Sequence, residues 1–528
     1  MDNIKIIVFL CNWGPHAAFQ TMQENHDQIP PEVKMVRIPC IGRISKALLF
    51  KAFEMGADGV ALVGCQSGGC RYGSGTVNGE INTADTRKII ELLGLGKERM
   101  RLATFLPDQV EKLHNFLTSF SLDIKQMGPS PILPDAPFKA HSLSFEKISG
   151  ILTKYNAYGC QDCGKCTSAC PLALSGKTYS PRLLVNAIIG GELESEAVKQ
   201  DIWSCLTCGL CYQICPSDVN FPAFIGDLRA EIFYADNSER HQAHGGFFQS
   251  LMRSMTTPAL KPQTHQSIPE DVEIDQKSDT LFFGGCGPYF DVFFQNHYRV
   301  NSSSIIHDGL RLLNFFDIKP GIMEHERCCG HDLLWTGDHR NFLKLARLNV
   351  EAIKRRGIKE LITACPECYR TIAYDYPKYG IDVDFKVTHL YEILENEIDK
   401  GAVAFKTLDQ KITYQDACRL NSSPEIKDLP GKLLSRIKTR DLAEENIHQQ
   451  TSVCCGNCAW TGCDAFSKAL QVKKLRQARS TGSRLLITSC PKCQVHLRCA
   501  MEDPLLGPEL IMEITDLTNL IAKTIYWE

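Results

Sequence analysis

Ten cysteines in the second half of this chain fall into two matching sets. Cys286 is followed by Cys328-Cys329 and then by Cys365-Pro-Glu-Cys368. Cys418 is followed by Cys454-Cys455 and then by Cys490-Pro-Lys-Cys493. The gaps are 41 and 35 residues in the first set and 35 and 34 in the second. A tetrahedral site takes at most four protein ligands. Five thiolates drawn from three segments, twice over, imply something larger than one metal ion. The surrounding words repeat as well. CCGHDLLWTGD at 328–338 echoes in CCGNCAWTGCD at 454–464, and ELITACPEC at 360–368 in LLITSCPKC at 485–493. The offsets are 126 (454 − 328) and 125 (490 − 365) residues, the mark of an internal duplication.

A second chemistry sits in the middle. Cys160-x2-Cys163-x2-Cys166-x3-Cys170-Pro171 is followed by Cys205-x2-Cys208-x2-Cys211-x3-Cys215-Pro216. This is the bacterial ferredoxin run, present twice, in which the fourth cysteine of each run ligates the other cluster. One [4Fe-4S] cluster is expected on Cys160, Cys163, Cys166 and Cys215, and the other on Cys205, Cys208, Cys211 and Cys170. Each proline ends its loop without an N–H to compete. A pair of four-cysteine zinc sites is the alternative, disfavoured by the repeated spacing. Such clusters pass single electrons, so this unit reads as a wire.

Four more cysteines lie near the start. Cys11, Cys40 and Cys65 follow the apolar runs IKIIVFL, VKMVRI and GVALVG, and Cys70 comes shortly after. Runs of this length suit buried parallel strands, and RISKALLFKAFEMGA and TRKIIELLGL between them have helical spacing. The carboxyl ends of parallel strands form the binding edge of an α/β sheet. Four thiols there suit a [2Fe-2S] cluster, a zinc ion or plain burial, and spacing alone does not separate these.

The elements that must position these groups follow from composition and breaks. The chain has 528 residues, 25 cysteines, 44% hydrophobic and 23% charged residues and a net charge of −3. That is ordinary soluble composition, without an electrostatic case for nucleic acid or a membrane surface. The cysteines are too sparse for a disulfide scaffold and cluster in CxxC-like groups, which points to metal in a reducing compartment, hence the cytoplasm. A signal peptide is not expected from MDNIKIIVFLCNWG, nor is a membrane span. The division expected is 1–122, an α/β domain; 123–144, a linker stiffened by Pro129, Pro131, Pro134 and Pro137; and 145–240, a helical two-cluster domain. Then come 241–278, a linker or wrapping segment; 279–400, the first repeat; and 401–528, the second. The repeats should be α/β halves packed about a pseudo-two-fold axis with both cysteine sets near the interface.

The words CNWGPHAA, RIPCIGRI and GADGVALVGCQSGGCRYGSG make the first 120 residues resemble the delta subunit of methyl-viologen-reducing hydrogenase. That family often has CNWC where this chain has Gly14, which leaves four cysteines. The resemblance implies a [2Fe-2S] cluster on Cys11, Cys40, Cys65 and Cys70 and docking on the flavin-containing A-type component of heterodisulfide reductase. The middle unit is similar to the C-type component of heterodisulfide reductase. The duplicated half is similar to the CCG pattern of its B-type component, shared with the iron–sulfur subunit of glycolate oxidase. The fold class implied is multidomain α/β: an N-terminal α/β [2Fe-2S] domain, a central helical ferredoxin-like domain with two [4Fe-4S] clusters, and duplicated α/β CCG domains.

For the last half the resemblance implies two noncubane [4Fe-4S] clusters. One is on Cys286, Cys328, Cys329, Cys365 and Cys368, and the other on Cys418, Cys454, Cys455, Cys490 and Cys493. A disulfide between them would be reduced by one electron from each. The implied activity is that of an oxidoreductase acting on the coenzyme M–coenzyme B heterodisulfide or an analogue. It would work within a larger complex, with a hydrogenase or formate dehydrogenase as a further partner and flavin-based bifurcation in the partner. This chain shows no GxGxxG fingerprint and expects no flavin of its own. The alternative is an electron conduit without disulfide chemistry, serving a dehydrogenase or quinone module.

A few residues stand apart. Arg43 shapes the N-terminal site or its docking face, or is a surface arginine at a helix start. Cys458, Cys463 and Cys499 default to core packing, though the first two lie close enough in sequence to tune the second CCG set. His331 and His496 are structural by default, or donate to a cluster sulfur or a product thiolate.

Overall fold

The computed structural model describes residues 4–136, 142–235, 242–264, 268–298, 300–401, 403–439 and 454–527. Strands β1 (Ile6–Cys11), β2 (Val33–Ile38), β3 (Gly59–Gly64) and β4 (Met100–Thr104) form one parallel sheet in the order β2-β1-β3-β4. β3 is buried at every position and central, whereas β2, at the edge, is buried only at Ile38. β4 has no counterpart among the expected strands. The helix Val110–Met127 runs unbroken through residue 122. The proline-rich stretch after it lies along this domain. Ser130 N–H donates to Asp58 (2.6 Å) and Leu133 N–H to Thr257 Oγ1 (3.2 Å). Pro137, and residues 265–267 of the second expected linker, lie outside the described residues.

The middle unit is helical, with serine caps and helix-starting prolines at the places where the sequence breaks. Ser180 accepts from Leu183 N–H at the head of Pro181–Ile189, and Ser195 from Val198 N–H at the head of Glu196–Ser204. The two cysteine loops are built alike. Gly164 (φ 78°) and Gly209 (φ 87°) precede the short helices Lys165–Ser168 and Leu210–Gln213, which pack together. At each loop a non-glycine residue also takes the left-handed region, Asp162 (φ 53°) in one and Thr207 (φ 48°) in the other.

The stretch 241–278, expected as a linker or wrapping segment, contains the helix Phe247–Ser254, all eight residues of which are buried. Arg253 Nε reaches Glu54 at 2.5 Å in the N-terminal domain, and Gln249 Nε2 donates to Ala459 O at 2.7 Å in the last part of the chain.

The duplicated half has two parallel sheets. One is β6-β5-β7-β8, built from β5 (Thr280–Phe282), β6 (Gly321–Ile322), β7 (Glu360–Thr363) and β8 (Lys386–His389). The other, among the described residues, is β9 (Ile412–Tyr414), β10 (Leu485–Thr488) and β11 (Glu513–Asp516) in the order β9-β10-β11. The central strands β7 and β10 each stop two residues before a CPxC word, whose proline opens the next helix. The packing between halves is exchanged. Helix Ser303–Phe315 of the first packs on Leu517–Thr524 of the second, and Leu390–Asp399 of the first on Leu429–Arg436 of the second. Residues 303 and 429 differ by the repeat offset, so each contact is the pseudo-two-fold image of the other. Asn519 Nδ2 closes one contact on Asp308 at 2.7 Å.

Candidate metal centres and the charged core between them

Each five-cysteine set converges on a connected group of sulfurs. In the first half Cys286 contacts Cys328, Cys328 contacts Cys329, Cys329 contacts Cys368, and Cys368 contacts Cys365. The second repeats the order as Cys418, Cys454, Cys455, Cys493 and Cys490. Strand ends supply the outer cysteines, and the adjacent pair comes from the turn that Gly330 (φ 86°) closes in the first half and Gly456 (φ 92°) in the second. Hydrogen bonds from Cys286 and Cys329 hold Cys328 well below the usual thiol range, and those from Cys454 and Cys493 bring Cys455 down to about 6. His496 sits with Nδ1 3.2 Å from Cys455 Sγ. Burial lowers this histidine to about 3, so the ring is neutral.

Between the two sets lies a buried ionic cluster. Lys492, from the second CPxC word, is 2.7 Å from Glu367, at the same place in the first, and also pairs with Asp332. Burial alone would lower the ammonium, but the two carboxylates outweigh it and hold Lys492 well above its ordinary value. Asp332 also accepts from His331 Nδ1 at 3.0 Å. The His331, Asp332 and Glu367 ligand atoms lie within 4.8 Å of one another, a cation-binding arrangement whose cation is the Lys492 ammonium. Glu367 and Lys492 occupy matching positions and carry opposite charges, a signal present in the sequence that motif reading passed over.

In the ferredoxin-like unit a cavity of about 20 Å³ is lined by Cys170, Cys205, Cys208 and Cys211, three residues of one run and the last of the other. Cys160 and Cys166 of the first loop lie within charge range of each other, and Cys163 is exposed. Cys215 accepts from Val219 N–H at 3.4 Å. Burial pushes Cys170 up to about 11, and Cys208 and Cys211 higher still. Thiols buried this deeply ionise only against a cation or metal, which fits ligands.

At the N-terminal edge Cys11 Sγ is 3.7 Å from Cys65 Sγ, and Cys40 Sγ is 3.9 Å from Cys70 Sγ. Gly75 leaves the room they use. A Cβ there would stand 2.4 Å from Cys40 Sγ and 2.7 Å from Cys70 Sγ. Burial raises Cys11 to about 11. These four sulfurs suit a metal group, with Arg71 stacked at 4.0 Å on Trp13 and Tyr72 exposed beside them. Arg43 ends the 3-10 turn Ile41–Arg43 that follows Cys40.

Three cysteines lie outside these groups. Cys458 is buried, with Thr207 Oγ1 at 2.9 Å and Arg419 Nη2 at 3.6 Å. Cys499 is half-buried against Tyr298 OH (3.2 Å) and Lys468 Nζ (3.3 Å). Cys463 is exposed, not packed in the core: it lies just before the Asp464 cap of the helix Ala465–Ser480.

A cavity of about 740 Å³ opens at the junction of the ferredoxin-like unit and the duplicated half. Cys208, Cys418 and Cys454 stand on its wall, with Arg370, Lys378 and Lys427 farther along. Among the described residues no helix is long and apolar enough to cross a membrane.

Residues 6–128 match the family described as methyl-viologen-reducing hydrogenase, delta subunit. Residues 156–219 match a 4Fe-4S dicluster domain, and 282–373 and 412–498 each match the cysteine-rich CCG domain. The chain is 27% identical over 397 residues to the D-type component of the dihydromethanophenazine:CoB–CoM heterodisulfide reductase of Methanosarcina mazei, covering 69% of this chain and 93% of that one. It is 24% identical over 540 residues to the B-type component of the fumarate reductase (CoM/CoB) of Methanothermobacter marburgensis, covering 98% and 99%. Its N-terminal domain is 33% identical over 125 residues to the D-type iron–sulfur component of the F420-non-reducing hydrogenase vhc of Methanococcus voltae, 87% of that protein and 24% of this one.

Proposed function

The chain belongs, through residues 6–128, to the methyl-viologen-reducing hydrogenase delta-subunit family and is an iron–sulfur electron-transfer subunit of an oxidoreductase, and from that premise we propose that its terminal chemistry is the interconversion of a disulfide and two thiols. The observation that carries this reading is the pair of complete five-sulfur groups, seven of the ten cysteines buried and three half-buried, joined by the Glu367–Lys492 contact between their CPxC words.

Cys286, Cys328, Cys329, Cys365 and Cys368 would hold one noncubane [4Fe-4S] cluster, and Cys418, Cys454, Cys455, Cys490 and Cys493 the other. Two cubane clusters would take the ferredoxin-type cysteines, and a [2Fe-2S] cluster Cys11, Cys40, Cys65 and Cys70. Bound there, such clusters supply electrons one at a time, whereas RSSR + 2e⁻ + 2H⁺ → 2 RSH takes two.

The chain's own residues set the conditions. The Glu367–Lys492 pair joins the two CPxC words, and the open approach is the 740 Å³ cavity whose wall includes Cys418 and Cys454. That volume suits a small-molecule disulfide, and the wall carries both signs of charge, Arg370, Lys378 and Lys427 beside Asp375, Asp416 and Asp428. His496 Nδ1 lies 3.2 Å from Cys455 Sγ, and a proton on that nitrogen would favour the anionic sulfur.

A flavin-containing protein like the A-type component of heterodisulfide reductase would dock on the N-terminal domain beside Trp13, Arg71 and Tyr72, as part of a cytoplasmic complex that also contains a hydrogenase or formate dehydrogenase. Bifurcation would lie in that partner. One relative is named for the CoB–CoM heterodisulfide and another for fumarate with CoM/CoB. A disulfide/thiol site serves either direction of flow.

The test is anaerobic purification with iron and sulfide analysis, then electron paramagnetic resonance with candidate thiols and disulfides. A thiol-induced signal lost in Cys328→Ala, with the ferredoxin-type signals intact, is the expected result. Intact clusters that respond to no thiol would favour the electron-conduit reading.

A further inference from the structure

One guanidinium touches all three cysteine-bearing parts of the last two-thirds of the chain. Arg419 follows Cys418 in the second half and is 6% exposed. Its Nε donates to His331 Nε2 (3.1 Å), which lies in the first half two residues after Cys329. Its Nη1 donates to Thr207 O (2.9 Å) and its Nη2 to Thr207 Oγ1 (2.9 Å), in the ferredoxin-type loop between Cys205 and Cys208. Nη2 also faces Cys458 Sγ at 3.6 Å, and the plane lies 4.4 Å from the Trp335 ring. Every edge of the guanidinium is therefore used, and lysine could not reproduce the fork.

The equivalent loop shows what is special here. Asp162 and Thr207 hold the same place, two residues after the first cysteine of each run, and both are left-handed. Asp162 is held by Arg182 and, at 3.2 Å, by Asn186, both from its own unit. Thr207 is held by an arginine 212 residues away, in another domain. One loop carries a locally supplied lock whose anchor is a carboxylate, which cancels the arginine's charge. The other carries a buried cation whose hydrogen-bond partners there are a carbonyl, a hydroxyl and a sulfur; the carboxylates in its charge range, Glu367 and Asp375, belong to the first half, and a second buried guanidinium, Arg229, donates to Cys205 O at 2.7 Å.

We propose that Arg419 is the positioning residue that shapes the Cys205–Cys208 loop and sets the reduction potential of the cluster held there, so that this cluster is more easily reduced than its partner at the Cys160–Cys166 loop. A cluster gains negative charge on reduction. A permanent buried positive charge and donated hydrogen bonds stabilise that reduced state, and both raise the potential. The same guanidinium sits beside Cys418 and, through His331, beside the first five-cysteine set. Its charge therefore biases electrons toward the junction from which both sets are reached. The inference rests on the ferredoxin-type sets holding iron–sulfur clusters, and the iron and sulfide count of each preparation tests that premise separately.

The experiment is a redox titration of the full chain followed by electron paramagnetic resonance, for the wild type, Arg419→Gln, Arg419→Lys and Arg419→Gln with Thr207→Gly. Cys163→Ser assigns the two cubane steps, because it alters the first-loop cluster alone. Arg419→Gln is expected to shift the reduction equilibrium of the Cys205-loop cluster at least tenfold toward the oxidised form, about 59 mV for one electron, with the other cubane unchanged. Glycine at 207 relieves the left-handed strain without restoring charge, so the double variant should stay low. Arg419→Lys keeps the charge and loses the fork, so its shift should be in the same direction and clearly smaller than that of Arg419→Gln, which gives a readout even if Arg419→Gln fails to assemble. Equal shifts at both cubanes, no shift in Arg419→Gln, full recovery in the double variant, or a lysine variant as low as glutamine would each overturn the proposal.

Discussion

Replacing Lys492 with methionine is the sharpest test of the charged core. The ammonium is 5% exposed and Asp332 1%, and Glu367 lies 2.7 Å from it at 14%. Methionine fills the stem's volume but leaves two carboxylates within 4.8 Å of each other with no cation between them. Breaking one side of a buried pair costs about 3–5 kcal/mol. For a unit of about 250 residues each kcal/mol moves the melting midpoint by roughly 2–4 °C, so the midpoint of the duplicated half should fall by roughly 6–20 °C. The assay is calorimetry of the cluster-loaded protein. The triple change Lys492→Met, Asp332→Asn, Glu367→Gln removes every charge together and should recover most of that loss, because neutral, well-packed replacements of buried ion groups are close to neutral in stability. A fall of less than about 2 °C in the single variant, or a triple variant no better than the single one, would refute the reasoning that this cluster is a compensated buried charge network.

Gly75→Ala should lower the iron content by that of the N-terminal group alone, since its Cβ would stand 2.4 Å from Cys40 Sγ; unchanged iron would remove that group from the metal-binding set. Asp516 is fully buried and its carboxyl is raised by burial from 3.8 to about 7. The folded chain keeps this proton to higher pH than the unfolded chain, so stability falls by about 4 kcal/mol as pH rises from about 4 to 7 and is level above that. Asp516→Asn keeps a helix cap and should flatten that part of the melting-midpoint profile; an unaltered slope would show that another group sets it. Cys463→Ser should leave iron, sulfide and the resonance spectrum unchanged, because the thiol is exposed and its cysteine neighbour is Cys499, which belongs to none of the five sets; loss of a cluster signal would make it a ligand.

Much of the site was legible because chelation by a loop is local. In the ferredoxin runs, tight spacing brings three cysteines together whatever the rest of the chain does, and the glycines at 164 and 209 supply the turns. The duplication was legible for a similar reason: each half must rebuild the same strand-to-cysteine geometry, so the words CCG and CPxC recur with the same offset. The parallel strands were read from short apolar runs, and β4 was missed because its word, MRLAT, alternates too weakly. The helix Phe247–Ser254 was hidden because prolines and polar residues crowd the segment after it, while its own burial comes from two other domains.

The sequence by itself determined where the cysteines fall, how they are spaced and that the last half is repeated, because those properties depend on residue type and short spacing. The tertiary structure alone decided what stands between the groups. Glu367 meets Lys492 across 125 residues, and Arg419 reaches back 212 residues to Thr207. Contacts of that separation are set by how the two halves and the ferredoxin-like unit pack, and burial then turns ordinary charged residues into a fixed electrostatic field, which no local pattern encodes.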